Sequence, residues 1–145
     1  MLEALVVLMI ISAMLLIAVV PFPQIQNQLE KKMFITQLQA DVERAQMYAL
    51  SHQKAVFLHF YSSKKYVATL SQQEILFTRT VPDEFEFLRG GMDSVAFLPN
   101  GNTNQFGTIG IKYNNQIIQL TFYIGKGRLK VKEESLSQFE NENGI

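Results

Sequence analysis

The sequence has no cysteine, only two histidines and no net charge, its 13 basic side chains being matched by 13 acidic ones over 145 residues. Without cysteine there is no disulfide scaffold, no thiol nucleophile and no metal held by thiolates. The compartment stays open, since many exported proteins also lack cysteine. Zero net charge excludes a globally basic nucleic-acid binder but leaves room for a local basic patch. With 48% hydrophobic and 18% charged residues, the chain is too apolar to be a disordered tail. Its length allows one domain, or one small domain with an appendage. Much of the apolar excess sits in the first twenty residues.

Ala4 to Val20 carries no charge, and Ser12 is its only polar side chain. At about 1.5 Å per residue the run covers roughly 26 Å as a helix, near the lower limit for crossing a hydrocarbon core. A cleavable secretory signal has a basic segment before such a core and a small-residue cleavage site after it. Nothing basic precedes this one, and Pro21-Phe22-Pro23 comes next. The expectation is therefore a retained membrane helix, the segment 1–29 being a hydrophobic membrane or fibre-core helix with a proline kink. Pro21 and Pro23 each remove a backbone donor and mark that kink; Gln24 to Gln28 reads as a polar connector. Glu3 is out of place beside the apolar run, since an acidic residue at a bilayer centre costs about 2.5–3.5 kcal/mol. Two readings of it stay open. It sits wet at the membrane edge, where it also suits the positive end of the helix dipole, or it meets a partner charge from another subunit.

Glu30 to Ser51 lacks Gly and Pro and is rich in helix formers. Ile35, Leu38, Val42, Ala45 and Ala49 recur at spacings of three and four and make one narrow apolar stripe. Lys31, Lys32, Gln37, Asp41, Glu43, Arg44 and Gln46 fall largely off it. The segment 30–51 is thus an amphipathic helix whose stripe packs on the domain C-terminal to it. From Ala55 the period becomes two, with Val56, Leu58 and Phe60 alternating with Phe57, His59 and Tyr61. Strands are predicted at 65–70, 74–80, 85–87, 94–98, 108–113, 116–124 and 128–132. Turn signals separate them at 62–64, at Gly90-Gly91, at 99–102, at Asn114-Asn115 and at 125–127. The segment 52–132 is therefore an antiparallel β domain, and 133–145 a polar tail. Helices first and strands after them give an α+β fold: a long N-terminal helix packed on an antiparallel β domain.

Little in this chain points to chemistry. His52 and His59 lie seven apart with no third spaced ligand, so no metal or other cofactor is expected. Ser, His and Asp occur without a strained nucleophile turn or an oxyanion feature, so no enzyme is expected either. Asp83, Glu84 and Glu86 cluster, but alternation puts Glu84 and Glu86 on a wet strand face with Phe85 and Phe87 inward. The basic strand carries more. Lys126, Arg128, Lys130 and Lys132 share one parity and form a one-sided cationic row. Such a row neutralises phosphates and makes a candidate DNA contact, strengthened by Lys64 and Lys65 if they lie near and by stacking on Tyr66, Tyr113 or Tyr123. The competing reading is a charged edge strand that prevents edge-to-edge aggregation.

Met1-Leu2-Glu3-Ala4-Leu5-Val6-Val7-Leu8 resembles the mature start of type IV pilin-like proteins, whose consensus is Phe-Thr-Leu-hydrophobic-Glu ahead of an apolar helix. Pro21 falls near the kinking proline of many pilin helices. The stretches Arg44 to Leu50, Lys54 to Leu58 and Ile124 to Val131 are similar to the H-type (FimT/GspH-like) minor pseudopilins, and among these to the competence pseudopilins of Gram-positive bacteria. The resemblance implies a membrane-inserted subunit that is processed by a prepilin peptidase and extracted into a thin fibre with other major and minor pseudopilins. It implies that Glu3 neutralises the N-terminal amine of an adjacent subunit, and that the fibre serves DNA uptake in competence or, as an alternative, a type II secretion-like system. The family's leader, basic and ending in Gly, does not stand in this sequence. With Lys31 and Lys32 as the nearest basic residues, the positive-inside rule read literally leaves the β domain cytoplasmic; a basic leader reverses this. The expected location is the cell membrane, single-pass, with the β domain exported and at the surface after assembly.

Overall fold

The computed structural model describes residues 2–18, 23–70, 74–124 and 128–135. It divides into two compact units, Met1–Phe34 and Ile35–Ile145. In the first unit α1 (Leu2–Ala18) is an uninterrupted helix. Its one polar hydroxyl is satisfied internally, Ser12 Oγ donating to the Leu8 carbonyl at 2.8 Å. The second helix, α2 (Pro23–His52), is 30 residues long and begins seven residues before the predicted start. The connector expected over Gln24–Gln28 is thus helical. Pro23 does not break the helix but opens it, because the first helical position needs no N–H donor and proline's fixed φ is already helical. Pro21, the other expected kink residue, lies outside the described residues.

From Ile35 onward α2 belongs to the second unit. The predicted stripe is the buried one, Leu38, Ala45 and Ala49 being fully inaccessible and Ile35 and Val42 nearly so. Burial of each large member contributes about 1.5–3 kcal/mol. Asp41 departs from expectation, since it is buried within the stripe rather than off it.

Among the described residues eight strands come after the helices, all paired antiparallel. The first sheet has the order β3-β2-β1-β5, with β1 (Val56–Tyr61), β2 (Lys65–Thr69), β3 (Ile75–Thr80) and β5 (Ser94–Phe97). The second has the order β4-β6-β7-β8, with β4 (Phe85–Phe87), β6 (Gly107–Tyr113), β7 (Gln116–Phe122) and β8 (Leu129–Ser135). The turns fall where their residues demand. Lys64 and Asn114 take left-handed φ values of 55° and 51° at the two hairpin bends. β8 runs on to Ser135, three residues into the expected polar tail, because Glu134 pairs opposite Ile117 and is itself buried.

The core lies where the sheets turn their apolar faces inward. Leu58 and Phe60 of β1 share that face with Tyr66 and Ala68 of β2. Phe60 meets Phe87 of the second sheet edge-on at 5.3 Å, and Phe85 stacks on Tyr113 at 4.5 Å. Glu84 and Glu86 stay exposed while Phe85 and Phe87 are buried, the arrangement that strand alternation requires.

Candidate functional site

The sequence marked three places for scrutiny: the Glu3 end of α1, the helix stripe and the basic strand. On α1, Leu2, Leu5, Val6, Val7, Leu8, Met9, Ile10, Ile11, Met14 and Leu15 are all exposed. They point in every direction around the axis, so no face of this helix is built for water. A helix that is apolar all round belongs in the interior of something larger. Glu3 is its only acidic group and sits in the first turn. Glu3, Ala4, Val7, Leu8 and Ile11 share one face, with a hollow beside the carboxylate. Among the described residues no cation pairs with Glu3. Among them, too, no helix is long and apolar enough to cross a membrane; α1 itself comprises 17 residues.

The second place holds a cluster that the sequence pattern did not single out. Asp41 Oδ2 accepts hydrogen bonds from Tyr66 Oη at 2.7 Å, from Arg79 Nε at 3.0 Å and from Gln37 Nε2 at 3.1 Å. Arg79 Nη2 reaches Oδ1 at 3.4 Å. One carboxylate thereby joins α2 to β2 and β3. Burial alone would push the Asp41 carboxyl up. The three donors and the Arg79 charge outweigh it and hold the group below the usual carboxylate range. Burial, with the Asp41 charge behind it, pushes the Tyr66 hydroxyl well above the usual tyrosine range. Beside the cluster, the Phe77 ring lies between two guanidinium groups, Arg44 at 5.5 Å and Arg79 at 5.9 Å from its centroid. A fully donor-saturated carboxylate has no acceptor capacity left for a ligand, so this constellation is a structural clasp. Its signal was present in the sequence: Asp41 lies three residues beyond Leu38 and four before Ala45, on the stripe's own spacing.

β8 is an edge strand of the second sheet, and Arg128, Lys130 and Lys132 are exposed. Lys132 Nζ pairs with Glu134, whose other oxygen accepts from Gln119 Nε2 at 3.0 Å, so the row is neutralised at that end. Among the described residues neither Arg128 nor Lys130 forms an ion pair. Lys126 lies outside the described residues. Lys64 and Lys65 do not join the row. Both belong to the β1–β2 hairpin of the other sheet, where Lys64 Nζ binds Asp83 Oδ1 at 3.1 Å and Lys65 Nζ lies 5.4 Å over the Tyr61 ring. Of the three tyrosines named for stacking, Tyr66 and Tyr113 are buried and cannot serve. Tyr123 is exposed, meets exposed Phe106 edge-on at 5.6 Å, and closes the β7–β8 hairpin through its N–H to the Arg128 carbonyl at 3.1 Å.

The histidines sit apart. His52 ends α2 and stacks on Tyr48 with centroids 3.9 Å apart, and His59 lies mid-strand in β1. Ser51 Oγ lies 2.8 Å from His52 Nδ1, but the pair is exposed on one helical turn and the remaining contact of that nitrogen is the Tyr48 carbonyl.

No protein-family model matches the sequence, and no curated protein sequence matches it. Solved structures do match its fold. The type IV minor pilin FimU of Pseudomonas aeruginosa superposes with a TM-score of 0.59 at 16% identity, covering 72% of this chain and 98% of that one. A second crystal form of FimU gives 0.58 at 16% identity, covering 81% and 95%. The minor pseudopilin EpsH from the type 2 secretion system of Vibrio cholerae gives 0.56 at 10% identity, covering 71% and 96%. The chain has a pilin-like α+β fold.

Proposed function

We propose that this chain is a structural subunit, not an enzyme, of a type IV pilus-like fibre: a minor pseudopilin whose apolar helix lies in the fibre core. The observation that carries the reading is α1, apolar on all sides and interrupted by one carboxylate. A helix of this kind is stable among lipid tails before assembly and among like helices after it. In both settings Glu3 must be solvated at an edge or paired, because an isolated charge in an apolar medium is prohibitively costly. The ammonium at the N-terminus of a neighbouring subunit supplies that pair and fixes the axial offset between subunits. The fold shared with FimU and EpsH supports the reading.

Within it, the N-terminal residues and the stretch Gly125–Val131 are the ground for assigning the chain to the competence pseudopilins, nearest to ComGD, with DNA uptake as the process served. A type II secretion-like fibre is the alternative within the same class. The decisive variant is Glu3→Ala, with Glu3→Gln beside it. Both are expected to abolish fibres, seen by electron microscopy of sheared cells, while the membrane-associated pool of the subunit is unchanged. Normal fibres from either variant would overturn the pairing mechanism. Loss of transformation, rather than of protein secretion, in a strain lacking the subunit distinguishes the two processes.

A second reading is favoured by Arg128 and Lys130, two exposed cations that form no ion pair among the described residues, beside exposed Tyr123. A membrane-anchored DNA-binding module would use this end of β8. Charge reversal at both positions is then expected to abolish a gel shift and its steep salt dependence. No shift at low salt would remove this reading.

A further inference from the structure

The solvent face of the first sheet carries a feature that neither fibre assembly nor the basic strand uses. α2 covers the opposite face, where Tyr66 and Arg79 bind Asp41. On the open face β1, a central strand, presents Phe57, His59 and Tyr61 in a row. Their ring centroids are 6.4 Å and 6.3 Å apart, with planes inclined by 15° and 37°. Phe57 is 39% and Tyr61 43% exposed, so two of the three rings offer substantial surface to solvent.

Thr69 lies opposite Phe57 on one side and Ala96 on the other, while His59 lies between Val67 and Ser94. The strand positions of this face include one cation, Lys65, whose ammonium lies 5.4 Å over Tyr61, and no carboxylate.

A four-stranded antiparallel sheet, backed by a helix and bearing aromatic rings on a central strand, has the layout by which sheets stack splayed bases. The separation between these rings exceeds the rise of about 3.4 Å per base in a duplex strand. Bases that meet them must therefore be unstacked from one another. A duplex, whose bases are buried in pairs, offers such a surface only its backbone. The sign of the charge agrees, since the one charged strand position of this face is the cation Lys65.

We propose that this face is a binding platform for single-stranded nucleic acid, on which Phe57, His59 and Tyr61 stack bases and Lys65 contacts a phosphate. The platform stands apart from the fibre reading and from the β8 cations, which lie on the other sheet. Its signature is stacking with little electrostatics: one phosphate contact gives a slope of log K against log salt of about −0.7.

The test is fluorescence anisotropy of a labelled oligothymidylate with the full chain in a non-ionic detergent. Phe57→Ala and Tyr61→Ala are each expected to weaken binding about tenfold. Tyr61→Phe retains it, a duplex of equal length binds more weakly, and Arg128→Glu with Lys130→Glu leaves the affinity for the single strand within a factor of about two. Circular dichroism of each variant establishes that these exposed positions leave the fold intact. Absence of binding, or binding indifferent to both ring deletions, overturns the proposal. So does equal affinity for the duplex. A neutral chitin-type oligosaccharide that binds in the same ring-dependent manner and displaces the oligonucleotide overturns it in favour of a glycan surface.

Discussion

Asp41 illustrates how much one side chain fixes. Its carboxyl is held down in the folded state, so the unfolded chain takes up the proton first as pH falls. The clasp therefore contributes its full stability above the ordinary Asp value of about 3.9 and loses it as pH drops through the lower, folded value. Tyr66 works at the other limb. Its hydroxyl is pushed up, so its contribution is complete below the ordinary tyrosine value of about 10 and fades above it. Asp41→Asn is expected to destabilise the chain by about 1–3 kcal/mol at neutral pH. It should also flatten the acid limb of the stability profile, measured by urea unfolding between pH 7 and pH 3. An unchanged acid limb would show that another carboxylate sets it. Half-exposed Arg79 (side chain 42% accessible) is solvated when its partner is removed, which keeps the cost below that of a fully buried pair. Neither Tyr66 nor Arg79 was legible locally as a partner, because they lie 25 and 38 residues away along the chain. Gly101 is a second position of this kind. Its φ is 77°, and a Cβ there would stand 2.9 Å from carbons of the Leu50 side chain. Gly101→Ala is expected to lower stability by about 1–3 kcal/mol in thermal unfolding, mainly through backbone strain that a shift of Leu50 cannot relieve.

Elements were more readable than single residues. The α2 stripe follows from periodicity alone, because a helix that must cover a sheet repeats its apolar residues every three to four positions. Its start was not readable. Proline is disfavoured inside a helix and favoured at its first position, and the flanking Gln24–Gln28 has no apolar repeat to decide between the two. Strand positions were readable from Gly, Asn and Pro punctuation. The division into two sheets was not, since β5 returns to pair with β1 while β4 leaves to pair with β6. Such non-local pairings leave no trace in short-range pattern. The narrowness of the stripe has its own consequence. Ala45 is fully buried, so Ala45→Leu should cost about 1–3 kcal/mol by overpacking the contact with the sheet. The control Ala40→Leu, at an exposed position of the same helix, should stay within about 0.5 kcal/mol. Equal effects would mean that helix propensity, not fit, governs this segment.

For the whole molecule, two units of opposite character share one chain. The first holds α1, which presents apolar side chains on every side, and the second buries a conventional core with no buried side-chain polar atom left without a partner among the described residues. The full chain is expected to require detergent. Removal of residues 1–28 should leave a soluble β domain that elutes as a monomer on gel filtration; aggregation of that fragment would mean that the core needs the first unit. At the closed end of the second unit, Gln46 of α2 donates to the Gly101 carbonyl at 2.8 Å and Gln53 to the Pro99 carbonyl at 3.3 Å. From the same loop Thr103 Oγ1 donates to the Tyr123 carbonyl at 2.9 Å, at the end of β7. Residues 99–103 thus tie α2 to the end of β7 through three side-chain hydrogen bonds. The loop therefore fastens the helix to the second sheet at a point separate from Asp41, which fastens it to the first.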